Sequence, residues 1–248
     1  MALRVILGDN MPTKEYEKFY EFIFEMYDPE SEIGVRRASY MKSDFEKYFK
    51  APGKILDLCC GAGVYAFLLE ELGFEVVGLD IQKQMIIRAR EIAKKRKSKV
   101  IFIEGDARKL EFPDNHFDYV IFLGNSLPHF NINEFDKVLN EIYRVLKNNG
   151  LFMVGYTDFI WIMLERYRFA FVDLPEKSIV SFHAKYDGED GSILKLCHNF
   201  DTNETFKIKL HVWAPWILRH LCEKHQLKLH GKERTAENVY IDVFKLEK

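Results

Sequence analysis

Three short apolar runs, each delivering an acid to its end, constrain this chain more than any other feature. Lys54-Ile-Leu leads into Asp57-Leu-Cys-Cys-Gly61-Ala-Gly63, Glu75-Val-Val-Gly-Leu ends at Asp80, and Lys99-Val-Ile-Phe-Ile-Glu-Gly is followed by Asp106. In an open parallel sheet, ligands bind in the crevice outside the carboxyl ends of the strands. Glycine has no Cβ and accepts positive φ, so Gly61 and Gly63 let the backbone approach a ligand closely. A row of carboxylates beside such a loop suits a ligand with hydroxyls and a cationic amine better than one rich in phosphate.

The flanking pattern completes a fold expectation. Strands over Lys54–Cys60, Glu75–Ile81, Lys99–Glu104, Phe117–Leu123 and Leu151–Tyr156 alternate with helices over Val64–Leu72, Lys83–Lys95 and Glu134–Lys147, the last stopped by Asn148-Asn149-Gly150. This alternation gives an α/β, doubly wound parallel sheet. Ahead of it, an amphipathic helix over Pro12–Tyr27 and another over Arg37–Phe49 form an N-terminal lid. After it come a helix over Asp158–Phe169 and three period-two runs, Ser178–Lys185, Ser192–Phe200 and Phe206–Trp213, which read as a small antiparallel meander. A helix over Pro215–His225 and strands over Leu227–Glu233 and Val239–Leu246 resume the sheet.

Composition narrows the class. The chain has 248 residues, 48% hydrophobic and 30% charged, and a formal net charge of -2, without the basic excess of a nucleic-acid binder. Its one basic run, Lys94-Lys-Arg-Lys-Ser-Lys99, falls where a helix should end and complements the macrodipole. No apolar stretch has the length of a membrane span, and Met1–Asn10 lacks the layout of a signal peptide, so a cytoplasmic setting is expected. The four cysteines have neither disulfide-framework nor zinc spacing, and no metal is expected. Few glutamines, many charges and a high aromatic share fit a thermophilic source.

From Ile55 to Gly150 the chain resembles the class I S-adenosylmethionine-dependent methyltransferases. The resemblance is carried by LDLCCGAG (Leu56 to Gly63), VVGLDIQKQM (Val76 to Met85), GDARKLEFPDNHFDYVIF (Gly105 to Phe122) and the strand from Leu151 to Tyr156, in that order and spacing. One departure is Cys59, which stands where the family's acidic-plus-three-glycine loop has its first glycine. The resemblance implies a mostly parallel, seven-stranded, Rossmann-like sheet with S-adenosyl-L-methionine as cofactor and S-adenosyl-L-homocysteine as product. The organisation it implies is a helical lid over 1–51, a cofactor-binding core over 52–156 and 214–248, and a cap insertion over 157–213.

The resemblance also distributes roles. Asp80 would take the ribose hydroxyls. Asp57 would orient the amides of Gly61 and Gly63 and favour the methionyl ammonium. Ile81 and Met85 would sandwich the adenine, Asp106 and Ala107 would meet its edge, and Leu123 and Asn125 would border the methyl donor. Tyr40 falls near the position from which a lid residue would hold the cofactor carboxylate, with Arg36 and Arg37 as close competitors for that role and Tyr27 as a further candidate. Gly124-Asn125-Ser-Leu-Pro-His129 is similar to a segment of glycine and sarcosine N-methyltransferases and makes Asn125 and His129 the catalytic candidates, with His129 as a proton acceptor. Tyr156, Asp158, Arg166 and Arg168 lie where an arginine could clamp an acceptor carboxylate.

The expected acceptor is a small polar metabolite, an amine or amino acid. An RNA or protein acceptor stays open, as does a catalytically silent cofactor-binding subunit, and the oligomeric state is not readable. A nicotinamide-dependent oxidoreductase competes, because Gly61-x-Gly63-x-x-Ala66 with Asp80 also fits that fingerprint.

Overall fold

The computed structural model describes residues 24–165, 170–174, 178–236 and 239–248. A seven-stranded sheet is built from β1 (Lys54–Leu58), β2 (Glu75–Asp80), β3 (Ile101–Glu104), β4 (Phe117–Phe122), β5 (Leu146–Thr157), β10 (Leu227–Ala236) and β11 (Val239–Leu246). Its order is β10-β11-β5-β4-β1-β2-β3. All neighbours are parallel except β11, which runs antiparallel to both β5 and β10. The order reverses between β1 and β4, which makes the crevice above Leu58 and Phe122 the topological switch point.

Side chains alternate between two core layers, as the two-residue period of a strand requires. Leu56, Val120, Phe122, Phe152 and Val154 point into one layer, covered by α4 (Ile132–Val145) and α6 (Pro215–Lys224). Ile55, Ile121, Leu123, Met153 and Ile241 point into the other, covered by α1 (Glu32–Tyr48), α2 (Val64–Glu71) and α3 (Lys83–Arg96). Asp57, two residues after Ile55, therefore takes a core position on the α1–α2 face and is 1% exposed.

The basic run closes α3, with Lys94, Lys95 and Arg96 in its last turn. That helix anchors the chain entering α1. Arg88 pairs with Asp28 at 2.9 Å and Glu30 at 3.1 Å, Lys95 pairs with Glu30 at 2.7 Å, and Arg96 donates to the Pro29 carbonyl. Ser31 caps α1 by accepting from the Gly34 amide, and Gly34 is required there because a Cβ would lie 1.9 Å from the Asp28 carbonyl oxygen.

Several boundaries differ from the sequence expectation for local reasons. The helix expected over Glu134–Lys147 runs instead over Ile132–Val145. Asn131 accepts from the Glu134 amide and Glu134 returns a bond to the Asn131 amide, a capping box that fixes the start. At the far end Leu146 pairs with Phe117, so Asn148-Asn149-Gly150 lies inside β5 and does not stop a helix, Asn149 taking φ 64°. The helix expected from Arg37 begins at Glu32 because of the Ser31 cap. The first strand stops at Leu58, since Cys59 has φ 58°; the two adjacent cysteines are in the loop, not the strand.

The expected helix over Asp158–Phe169 is α5 (Phe159–Glu165), and Pro12–Tyr27 falls largely outside the described residues, with a 3-10 turn at Phe24–Tyr27. The meander is a four-stranded antiparallel sheet, β6-β7-β8-β9. Besides β7 (Ile179–Asp187), β8 (Ser192–Asn199) and β9 (Glu204–His211) it contains β6 (Ala170–Leu174), which the alternation pattern did not announce. Among the described residues no helix is long and apolar enough to cross a membrane, and none of the four cysteines is in a disulfide.

The capping box yields a stability prediction. Asn131→Ala should cost about 1 kcal/mol in urea denaturation, with an unchanged m-value. A loss below roughly 0.3 kcal/mol would show that packing alone sets the start of α4.

Candidate active site

The crevice at the switch point brings the three acids together. The Cys59 thiol is pushed well above its usual range first by burial and then by the charges of Asp80, Asp57 and Asp106. Asp80 ends β2, and its two oxygens accept from the Gly61 and Gln82 amides at 2.8 Å each. Burial raises its pKa, while the amides of Gln82, Gly61 and Ile81 pull the other way. Each carboxylate oxygen retains a second lone pair.

Asp57 departs from its expected structural role. The Gly61 amide goes to Asp80 and the Gly63 amide to the Cys60 carbonyl, so Asp57 orients neither of them. Its Oδ2 is buried without a hydrogen-bond partner. Burial, with the Asp80 charge second, pushes its carboxyl well above the usual carboxylate range. A cationic ligand beside it would offset that cost.

Gly61 and Gly63 have φ of 55° and 92°, and both are crowded: a Cβ on Gly61 would meet Tyr27 at 3.3 Å and one on Gly63 would meet Phe102 at 2.7 Å. Met85 is buried at 3% exposure outside both core layers, and Ile81 is half-buried next to Asp80. The Ala107 side chain packs into the α4-side core. Both Asp106 oxygens are engaged by Arg108, whose guanidinium also pairs with Glu134 at 3.0 Å, which ties the loop to α4.

Beyond the glycine loop, a cavity of about 690 Å³ opens over the ends of β4, β5 and β11. Its floor is Leu123, Gly124, Asn125, Gly155, Tyr156 and Thr157 with Val239 and Ile241, and its roof is Met26, Tyr27, Arg37, Tyr40, Met41 and Tyr65. Tyr27 donates its hydroxyl to the Gly124 carbonyl. Asn125 has φ 61°, and its Oδ1 is buried without a partner. Tyr156 is fixed by donating to Asp242 at 2.8 Å, a fully buried carboxylate held by Arg219 at 2.8 and 2.9 Å.

Other candidates are placed elsewhere. His129 ends a 3-10 turn over Leu127–His129 and is not part of the cavity wall; burial, with His211 of β9 second, lowers its pKa to about 4. That lowering disfavours the expected proton-acceptor role near neutral pH. Asp158 accepts from the Trp161 amide within the first turn of α5, Arg36 is exposed, and Arg166 and Arg168 lie outside the described residues. Met26, Met41, Tyr65, Val239 and Ile241 were not anticipated as site residues. The spacing of Arg37 and Met41, one helical turn apart, was the available signal for the α1 face. Among the described residues no group of three or more His, Cys, Asp or Glu could hold a metal.

A doubly wound sheet with a seventh antiparallel strand, a glycine loop and acids at its first strand tips defines the nucleoside-cofactor methyltransferase class, and comparison with known proteins agrees. A family model described as a methyltransferase domain matches residues 55–150. The demethylmenaquinone methyltransferase of Thermus thermophilus is 42% identical over 107 residues, 42% of this chain and 47% of that protein. The chain thus spans about half the length of the curated relative it matches there.

The crystal structure of the PH0226 protein from Pyrococcus horikoshii OT3 is 34% identical, covers 93% of this chain and 99% of its own, and has a TM-score of 0.77. CalS10, an amino pentose methyltransferase from Micromonospora echinaspora solved with bound S-adenosylmethionine, shares the fold at 16% identity and a TM-score of 0.66, covering 96% of this chain and 99% of its own. The chain belongs to the class I S-adenosylmethionine-dependent methyltransferases.

The Asp57 geometry carries a pH prediction. An acid whose folded pKa is raised lowers stability as pH climbs from the unfolded pKa through the folded one. Asp57→Asn should therefore raise the Tm of the ligand-free protein at pH 8 by roughly 2–4 °C, the shift that ~1 kcal/mol produces in a chain of this size, and by less at pH 4. Differential scanning calorimetry at both pH values checks this; an equal shift at the two would exclude ionisation as the cause.

Proposed function

We propose that this chain transfers the methyl group of S-adenosylmethionine to a small-molecule acceptor, an amine or amino acid, by in-line attack. The observation that carries the reading is the adjacency of the acid-lined crevice and the separate cavity beyond Gly124. In this reading Asp80 receives the ribose hydroxyls on its remaining lone pairs, Asp57 faces the methionyl ammonium, and Met85 and Ile81 border the base. Tyr27, Leu123 and Asn125 mark the boundary between cofactor and acceptor, and Tyr40 stands at the cavity mouth.

The cofactor supplies a methyl group already activated on a sulfonium. The chain's own work is then to hold the acceptor in line and exclude water, and positioning of that kind supplies roughly 7–11 kcal/mol. Asn125 Oδ1 would accept an N–H or O–H of the acceptor and so orient its lone pair. His129, neutral and outside the cavity wall, would serve packing and hydrogen bonding. Because the apolar and aromatic wall also suits a flat ring, a demethylmenaquinone-like acceptor is the second reading, supported by the Thermus relative's name.

Two measurements test the reading. Asp80→Ala should weaken S-adenosylhomocysteine binding by about ten- to a hundred-fold in calorimetry, as loss of charge-assisted bonds of roughly 1.5–3 kcal/mol implies. Unchanged affinity would remove Asp80 from the site. With labelled cofactor, transfer should appear in a metabolite extract with no rate inflection attributable to an imidazole between pH 6 and 8. Label entering only RNA or protein fractions would refute the small-molecule assignment, and stabilisation by NAD in place of S-adenosylhomocysteine would refute methyl transfer.

A further inference from the structure

We propose that Arg108 is a positioning residue for base recognition: it fixes the Asp106 carboxylate so that the crevice selects a 6-aminopurine over a 6-oxopurine. The inference deepens the methyl-transfer reading above and rests on its placement of the ribose at Asp80. Glu104, the last residue of β3, is in register with Asp80, and the Gly105 amide donates to the Asp80 carbonyl at 2.9 Å. Asp106 follows directly, one strand or about 4.8 Å beyond Asp80, on the side away from β4 and the cavity. A nucleoside whose ribose is at Asp80 and whose sulfur end points to the cavity brings the edge of its base to Asp106.

Arg108 holds Asp106 in one orientation. The carboxylate accepts from the Arg108 amide at 2.9 Å, from Nε at 3.0 and 3.1 Å and from Nη2 at 2.8 Å. Nη1 reaches Glu134 at 3.0 Å, and the second Glu134 oxygen accepts from the Asn131 amide at 3.0 Å, so the capping box of α4 fixes the guanidinium in turn. The Arg108 side chain is 11% exposed, whereas that of Asp106 is 34% exposed and open to a ligand.

A carboxylate offers about four acceptor positions and no donor. Three N–H groups of Arg108 fill three of them, and the one left takes an N–H such as the 6-amino group of adenine. A 6-oxo group in that place would set two acceptors against each other. Two carboxylates share one guanidinium, so the group keeps a net negative charge that strengthens the bond to a donor. The loop does not need Arg108 to stay on α4. The Leu110 amide donates to Glu141 at 2.6 Å, and the Leu110 carbonyl accepts from Arg144 at 2.8 Å. Loss of the guanidinium therefore frees the Asp106 side chain while the loop stays in place.

The test is calorimetric titration of the full-length protein with S-adenosylhomocysteine and with S-inosylhomocysteine, its 6-oxo counterpart. The wild type should bind the adenine form about ten-fold or more tighter, the factor that one charge-assisted bond provides. Arg108→Met should reduce that ratio to less than about three-fold by weakening the adenine form alone, and Arg108→Lys should keep part of it. The double variant Arg108→Met with Glu134→Gln keeps the capping box without an unpaired carboxylate on α4, and replaces the single variant if that one does not fold. Equal or inverted preference in the wild type overturns the proposal without any variant. So does an Arg108→Met protein that keeps the wild-type ratio, whatever its absolute affinities, because Arg108 would then serve the fold alone. Wild-type protein that binds neither ligand removes the methyl-transfer reading and this proposal with it, whereas the other adverse outcomes overturn this proposal alone.

Discussion

The Asp80 carboxylate holds the site together. By accepting from Gly61 and Gln82 at once, it ties the tip of β2 to the loop leaving β1 and to the start of α3. Backbone bonds from Cys60 to Leu79 and from Gly105 to Asp80 extend that tie across three strands. The loop can then hold Cys59, Gly61 and Gly63 at positive φ without collapsing onto Tyr27 or Phe102. A negative charge at the N-terminal end of α3 is also favourable to the helix dipole, so one group stabilises the fold and shapes the crevice.

Asp57 shows the opposite balance. The pleat assigns its position to the core, where Ile55 sits one period earlier, yet the residue is a carboxylate with an unpartnered oxygen. Such a group destabilises the ligand-free fold and is retained where a ligand offsets its burial. Asn125 repeats the pattern on the other side of Gly124, with a strained φ and an unpartnered buried oxygen. The polar Asp242, by contrast, is fully buried but completely partnered by Tyr156 and Arg219, which marks it as scaffold beneath the cavity floor.

The lid turns this crevice into two compartments. Ion pairs from Asp28 and Glu30 to α3 fix the chain just before α1, and Tyr27 is thereby pressed against both glycines at the switch point. The same aromatic ring lines the cavity over the ends of β4, β5 and β11 and carries Arg37 on its face. Tyr27 therefore stands between the glycine loop and the cavity beyond Gly124, next to the ion pairs that join the lid to α3.

Strand alternation, the glycine loop and the acids at Asp57, Asp80 and Asp106 were legible because they are local: period, breaker residues and spacing determine where a βα unit turns. The sheet's composition and the methyltransferase class followed from the same signals. Element ends were less legible where tertiary pairing overrode them, as when β5 recruited Leu146 and converted Asn148-Asn149-Gly150 from a helix stop into part of a strand. Tyr27, Arg37, Tyr40, Leu123, Asn125 and Tyr156 of the cavity lining were among the residues the sequence singled out, but their convergence with Met26, Met41, Tyr65, Val239 and Ile241 was decided by the fold. Arg37, Tyr65 and Ile241 are distant in sequence and meet because α1, α2 and β11 pack on one sheet face, and His129 is withdrawn from the cavity by a single 3-10 turn. Sequence alone determined the glycine loop and the acids at the strand tips, which are written in neighbouring residues. The cavity beyond Gly124 depended on long-range packing, which no local pattern encodes.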